Sequence, residues 1–537
     1  MSIKNKLQSI IKNSLPIDLD INRIVIDIPK DKKNGDYSTN VAFLLTKELK
    51  KSPILIAEDI ANNIKDEMIE KVEIANPGFI NIFLSKKFLL DNINKILEEG
   101  KDYGRNNSGN NEKINIEYVS ANPTGTLHIG HGRGAVYGDN LSKLMSFCGY
   151  DVTREYYIND AGNQMYNLGV SIKERYKERC GLECELPENG YHGKEIIQLA
   201  ESLYDTYGDS KLDEDIPFFK EAGLDILLEG IKKDLDKFRV NFDVFTSEQS
   251  LYDKGLVENT LNKLKDSGKC YISDDALWLR TTDLYDEKDR VLIKSDGNYT
   301  YLLPDIAYHV NKLERGFKLC VDCLGADHHG YIERMKSALQ MFNYPRSCLE
   351  IELIQMVRLF KDGEEYKMSK RTGNAVSMKE LCEETSIDAV RYFFVSRAAS
   401  SHLDYDIDSA KKMESSNPVY YAQYAHARLC AIMEQGKDIP LDVNGACLVE
   451  EKEKALLKIL AEYPKEILSS ATTRSPYKIT NYIQKLATSI NEFYTICRVI
   501  DRNNIAVSSS RMALCKASEI VLKNALEIIG VTAPERM

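Results

Sequence analysis

The sequence predicts an α/β protein of several domains, with a parallel-sheet core split by a helical insertion, a small α+β module ahead of it and an all-α bundle behind. Three observations carry this expectation. A chain of 537 residues is too long for one hydrophobic core. Between residues 114 and 160, strand-like alternation gives way to a glycine-rich loop, a helix and a second strand, the order of a βαβ crossover. After about residue 405, helical apolar spacing runs almost to the end.

The elements follow in order. Within residues 1–100, "SPILIAEDIANNIKDEM" has the spacing of an amphipathic helix, and "VEIANPGFINIFLS" alternates about a Pro77-Gly78 turn. The stretch "KDYGRNNSGNNEK", dominated by Gly, Asn, Asp and Ser, reads as a linker. The core is expected over residues 110–404. There "INIEYV" is a first strand, Leu141, Leu144, Met145 and Cys148 mark the apolar side of a helix, and "DVTREYYIND" is a second strand. Two further core strands are expected at "GNYTYLLPDIAYH" and "CVDCLGADHHG", beyond a helical insertion at about residues 165–270. A doubly wound sheet of this kind binds ligands at the carboxyl ends of its strands. Residues 405–537 read as a bundle: "NPVYYAQYAHARLCAIMEQ" opens on an Asn417-Pro418 cap, and two more helices break near Pro476.

Composition narrows the function. Hydrophobic residues make up 43% and charged residues 28%, ordinary for a globular chain. No long apolar run occurs and the N-terminus interleaves charges, so neither a signal peptide nor a membrane span is expected, and the cytoplasm is the expected location. Twelve scattered cysteines read as reduced thiols. The net charge of −11 is uneven. Residues 1–110 hold 17 basic against 16 acidic side chains and residues 401–537 hold 17 against 17, which leaves the excess acid in the middle. Near-neutral flanks can offer a basic face to a polyanion, while the middle has carboxylates to spare for a site.

The chemistry begins at "SANPTGTLHIGHGRGAVYGDN". Gly125, Gly130 and Gly132 allow close approach of backbone to a ligand, and a helix starting there offers unpaired N–H groups to an anion. His128 and His131, three residues apart, share one side of the first turn and suit charge that develops on an α-phosphate. Taken alone, the stretch also fits a tight turn with two surface histidines. It has neither the dinucleotide fingerprint nor a P-loop ending. About 240 residues later, "GEEYKMSKRTGNAV" places Lys367, Lys370 and Arg371 in a glycine-flanked loop, which alone would read as a solvated charge run. Together, "HIGH" and "KMSK" resemble the paired signatures of class I aminoacyl-tRNA synthetases, which stand at opposite ends of a split Rossmann-type fold.

"IEYVSANPTGTLHIGHGR", "YYINDAGNQ", "YLLPDIAYH", "GADHHGYIERM", "NPVYYAQYAHAR" and the terminal "APERM" are similar, in this order, to the arginyl-tRNA synthetase family. The resemblance covers essentially the whole chain. It implies ATP with Mg2+, L-arginine and tRNA(Arg) as ligands, activation of arginine that waits for bound tRNA, and a monomer. It also implies an N-terminal module that touches the tRNA and a C-terminal bundle that reads the anticodon. By position in the family motifs, His128 and His131 act on the α-phosphate and Lys367 and Lys370 on the leaving phosphates. Gly130, Gly132, Gly325, Asp327, His328, Met368 and Ser369 fall at ATP-binding positions.

A pocket for a planar guanidinium needs fixed carboxylates, and Glu117, Asp160 and Asp305 are candidates at strand ends. By motif position, Tyr301 and Asp305 take the guanidinium and Asn122 the α-carboxylate. Glu117 is either a substrate ligand or a strand residue paired with a nearby Arg. Some family members carry Gln close to where Ala326 falls, so Gln164 is expected to cover its share. Tyr420, Gln423, Tyr424 and Arg428 share one helical face, where the tyrosines either stack on RNA bases or belong to the core. No metal site is expected, because His328 and His329 lack further ligands at metal spacing and Cys320/Cys323 and Cys180/Cys184 are lone pairs. A HxGH-type nucleotidyltransferase has no use for the second loop, and a cysteinyl synthetase normally displays a zinc-binding Cys/His set.

Overall fold

Ile114 and Ile116 are fully buried on β1 (Lys113–Glu117), the central strand of the main sheet in the computed structural model, which describes residues 3–123, 125–366, 376–445 and 447–537. β1 leads into α1 (Ile129–Phe147) and returns as β2 (Asp151–Ile158), and β3 (Val244–Ser247), β4 (Leu319–Gly325) and β5 (Leu349–Ile354) complete the sheet. The order is β5-β4-β1-β2-β3 and every pairing is parallel. The chain leaves β1 towards β2 on one side and later adds β4 on the other. The reversal of strand order therefore falls between β1 and β4, and the crevice beyond their carboxyl ends is where such sheets hold ligands. α1 lies close on the sheet because Gly138 has no side chain: a Cβ there would come 2.1 Å from Tyr118 Cγ.

Three expectations change. First, "GNYTYLLPDIAYH" is not a strand: α2 (Leu302–Glu314) occupies it, with Pro304 in the first turn, where an N–H would go unpaired in any case. Its alternating aromatic and β-branched residues imitate a strand, but Leu303, Ile306, Ala307 and Val310 point into one buried helix face. Second, the insertion is largely helical as expected but not throughout: Gly162–Arg179, Lys194–Tyr207 and Ile216–Lys237 share a core of their own around Phe219 and Tyr176. The edge strand β3 and two more helices then return the chain to the sheet before residue 270. Third, residues 101–113 are packed rather than loose. Tyr103 is 1% exposed and donates to Leu460 O at 3.1 Å, and Gly109 N donates to Cys148 O at 2.8 Å.

Ahead of β1, the helix Pro53–Asn63 and the hairpin Ile69–Ala75/Phe79–Leu84 appear where the sequence places them. Beyond the sheet, α3 (Ile387–Phe394) leads to the bundle of α4 (Pro418–Gln435), α5 (Glu451–Thr472), α6 (Tyr477–Ile496) and α7 (Ile505–Ile528). The Asn417 side chain accepts from Val419 N at 3.1 Å, the expected cap, and the break near Pro476 falls between α5 and α6. All twelve cysteines are free, and no helix among the described residues is long and apolar enough to cross a membrane.

Two buried arginines join the pieces. Arg391, 0% exposed, bonds Asp139 and Asn140 of α1, the carbonyls of Phe238 and Arg239, and Ile529 O beyond α7. Arg133, 1% exposed, spends its guanidinium on the carbonyls of Gln355, Phe394, Ala398 and Ser401. Replacing Arg391 with Met removes one of the two cations paired with Asp139, which is 1% exposed and keeps only Lys143, at 2.8 Å, among the described residues, and strips three carbonyls of a donor. The expected loss of stability is about 3–5 kcal/mol, read as a lowered urea midpoint.

Candidate active site

α1 begins at the predicted histidines, and they cap it themselves. His128 is the N-cap; its Nδ1 accepts from Gly130 N at 3.1 Å and His131 N at 3.4 Å, while His131 Nδ1 accepts from His128 N at 3.4 Å. The rings stack with centroids 3.6 Å apart. Because each Nδ1 receives a backbone proton, each neutral ring carries its own proton on Nε2. Burial holds both below the usual histidine range, His131 at about 4, where His128 also contributes. The site thus presents two neutral Nε2–H donors.

The expected cradle of free helix-end amides is not there. Ile129 N donates to Val376 O at 3.4 Å, Gly130 N and His131 N to the His128 ring, and Gly132 N to His128 O at 3.2 Å. All four first-turn donors are taken. Gly132 is buried, and a Cβ on it would approach Met378 and Phe394 to 3.2 Å, so its close contact is with protein.

Lys367, Met368, Ser369, Lys370 and Arg371 lie outside the described residues. Val376, the first described residue after them, and the two that follow touch the start of α1. His128 and Ser377 form an antiparallel bridge, and Met378 N donates to Leu127 O at 2.8 Å. Ser377 then caps the helix Met378–Glu384. The residues that follow the second signature stretch, Val376 to Met378, thus adjoin the first, far from it in sequence.

Acidic side chains gather about Glu117, at the carboxyl end of β1. Asp305 sits in the first turn of α2, not at a strand end, and its carboxylate has no hydrogen bond or ion pair among the described residues. Desolvation pushes its pKa up to about 7, with Glu248, Glu117 and Asp322 adding to the rise and His309 opposing it. Tyr301, one turn earlier, is 85% exposed at the rim. Asn122 Nδ2 donates to Gln164 Oε1 at 3.1 Å, which brings two of the predicted arginine ligands together. Glu117, at the end of β1, pairs with Lys312 at 2.5 Å and accepts from Ser120 Oγ at 2.9 Å, so its partner is a lysine and not the anticipated arginine. Asp160 is committed to structure: it accepts from Ser247 Oγ at 2.6 Å and Gln249 N at 2.8 Å.

Sequence reasoning missed four groups here: Glu248, His309, Lys312 and Asp322. Glu248 starts the helix Glu248–Asp253, is 9% exposed, and has its pKa raised by desolvation and by Asp160. Its only sequence signal is a serine cap ahead of it. The signal for His309 and Lys312 was present, since with Asp305 they fall at i, i+4 and i+7 once α2 is read as a helix.

At the end of β4, Gly325 opens a short turn where a Cβ would meet Asp327 Oδ1 at 2.6 Å. Asp327 and His328 are exposed, with Nδ1 and Oδ1 3.1 Å apart. On the bundle, the predicted four-residue face divides. Tyr420 and Tyr424 stack at 5.9 Å, and Arg428 lies over the rings of Tyr424 and Tyr494 at 4.7 Å each. Tyr420, Tyr424 and Arg428 line a cavity of about 230 Å³, so the two tyrosines are not core. Gln423 faces inward and donates to Asp388 Oδ2 at 2.8 Å and Thr532 O at 3.0 Å, holding the C-terminal segment.

Three family models match the chain: "Arginyl tRNA synthetase N terminal domain" over residues 1–84, "tRNA synthetases class I (R), catalytic domain" over 92–400 and "DALR anticodon binding domain" over 422–537. The arginine–tRNA ligase of Bacillus subtilis (strain 168) is 49% identical over 539 residues, 98% of this chain and 97% of its own. The chain belongs to the arginyl-tRNA synthetase family. Arginine–tRNA ligase 2 of Bacillus thuringiensis subsp. konkukian is likewise 49% identical, over 100% of this chain and 98% of its own. The Thermus thermophilus arginyl-tRNA synthetase structure matches the fold of this family member with a TM-score of 0.75 over 100% of both chains at 19% identity. Both signature stretches fall inside the matched class I catalytic domain.

Proposed function

We propose that this arginyl-tRNA synthetase family member attaches L-arginine to tRNA(Arg) through an arginyl-adenylate, acting as a cytoplasmic monomer. The observation that carries the choice of amino acid is Asp305: a desolvated carboxylate without a protein partner among the described residues, next to Glu248, is set for a cation of two-pronged shape. Asn122 and Gln164, already in contact, bind the amino-acid end.

In the first step the arginine carboxylate attacks the α-phosphate of ATP in line, forming the acyl–phosphate bond as pyrophosphate leaves. The Nε2–H groups of His128 and His131 donate to the oxygens where charge grows, and being neutral they leave the ground-state nucleotide without an added counter-charge. Mg2+ brought with ATP would supply further charge neutralisation at the phosphates, and the two imidazoles, with Nδ1 occupied and Nε2 protonated, would not hold it. Lys367 and Lys370 receive the pyrophosphate, Met368 and Ser369 beside them in sequence bind ATP, and Gly325, Asp327 and His328 meet the ribose. In the second step the 2′-hydroxyl of the terminal adenosine takes the arginyl group and AMP leaves. Residues 1–100 contact the tRNA body, 110–404 hold the chemistry and 405–537 read the anticodon.

The test is ATP–pyrophosphate exchange with each of the twenty amino acids, with and without tRNA. Exchange driven by arginine alone among them, and only with tRNA, is the expected result; exchange driven by a different amino acid overturns the reading. Lys370→Ala is expected to slow exchange severely and leave tRNA binding close to wild type. Tyr424→Ala is expected to weaken tRNA binding by about 1–3 kcal/mol, roughly 10- to 100-fold, with the KM for ATP unchanged in filter-binding and steady-state assays.

A further inference from the structure

Behind the amino-acid pocket, three buried groups form a continuous chain. Lys312, 0% exposed, places Nζ 2.5 Å from Glu117 Oε2 and 3.0 Å from Asp322 Oδ1. Asp322 Oδ2 lies 2.7 Å from His309 Nε2, and His309 Nδ1 lies 2.8 Å from the carbonyl oxygen of Asp305. Glu117 and Asp322 stand opposite each other on β1 and β4, so the chain spans the switch point of the sheet and ends in the first turn of α2.

The charges can be counted from these contacts. His309 Nδ1 faces a carbonyl, which only accepts, and Nε2 faces a carboxylate, so both ring nitrogens have reason to hold a proton. Burial works against that charge, but Asp322 outweighs it and holds the imidazole above its usual range. For Lys312, too, burial is outweighed by Asp322 and Glu117. Two buried cations therefore answer two buried anions. Asp305 is left over, and its side chain has no partner among the described residues.

We propose that Lys312, Asp322 and His309 are positioning residues of the arginine pocket, which neutralise Glu117 and clamp the turn bearing Asp305 so that the Asp305 carboxyl is left unpaired and open to a guanidinium. This rests on reading Asp305 as the guanidinium acceptor. The reason is electrostatic. Glu117, Glu248, Asp305 and Asp322 crowd one desolvated region, and carboxylates so placed share protons instead of all ionising. With the inner pair neutralised, the charge needed for arginine stays on Asp305. A perturbed network should therefore harm arginine binding and spare ATP, whose predicted contacts lie on α1 and beyond β4. A network that only fastens β1, β4 and α2 together would show no such preference.

The test uses full-length enzyme with tRNA present. Asp322→Asn and His309→Gln are expected to raise the KM for arginine tenfold or more in pyrophosphate exchange, with the KM for ATP within twofold and kcat within threefold. Calorimetric arginine binding should weaken in step. An unchanged arginine KM, or equal rises for arginine and ATP, overturns the proposal. Asp305→Asn is measured alongside. If it keeps wild-type arginine affinity, the reading of Asp305 fails; if it loses affinity while the network variants keep theirs, the network proposal alone fails. Should Asp322→Asn not fold, Lys312→Arg, which keeps the charge but moves its geometry, carries the same two outcomes.

Discussion

His131→Ala lowers the rate of arginine-dependent pyrophosphate exchange roughly 10²- to 10³-fold with the KM for arginine unchanged, the loss typical of one preorganised donor to a developing oxyanion. The expectation follows from how the ring is held. Its Nδ1 is occupied by His128 N, its plane is fixed by stacking on His128, and one N–H is left to give. His131→Asn, which can offer a neutral N–H from a shorter side chain, should recover part of the loss. An exchange rate within threefold of wild type for His131→Ala would remove the imidazole pair from the mechanism. Because burial keeps His131 near 4, its protonation should not limit activity between pH 5.5 and 8, and burial shifts His128 in the same direction.

Arginine binding, by contrast, should depend on pH close to neutrality. Asp305→Asn is expected to weaken it by about 3–5 kcal/mol, some 10²- to 10³-fold or more, since a desolvated guanidinium loses its charged partner. In the wild type, the guanidinium binds only the ionised carboxylate, whose free-state pKa is about 7. Affinity is then fully present above pH 7 and falls roughly tenfold per unit below it, because the proton must be expelled before arginine binds. The groups that set this value are burial first, then His309 in opposition, with Glu248, Glu117 and Asp322 raising it. Calorimetry across pH 5.5–8.5 in buffers of different ionisation enthalpy measures the released proton directly. A flat profile would show that Asp305 is ionised throughout.

Much of this site was legible because its signals are local. The His-x-Gly-His spacing placed two rings on one helical turn, and the Asn417-Pro418 cap placed α4, each from a few adjacent residues. What failed needed the third dimension. The segment "GNYTYLLPDIAYH" has strand-like composition, and reading it so separated Asp305, His309 and Lys312, which only a helix brings into line. The free amides expected at the start of α1 were unpredictable from sequence, because Val376 and the His128 ring consume them. Gln423 has the right spacing for the RNA-facing side, yet Thr532 and Asp388, each distant in sequence, turn it inward.

Arg133 has a consequence for how the protein is made. It belongs to the helix that begins at His128 and His131, yet every carbonyl it binds lies between Gln355 and Ser401, more than two hundred residues downstream. Until that region has left the ribosome, its guanidinium has none of these acceptors, and Ile129 N likewise waits for Val376. Contacts so distant in sequence form late and close slowly. The helix proposed to meet ATP is thus among the first parts of the core to be synthesised and among the last to be set in place, so a nascent chain cut short before residue 355 has its paired histidines but lacks the carbonyls that seat their helix.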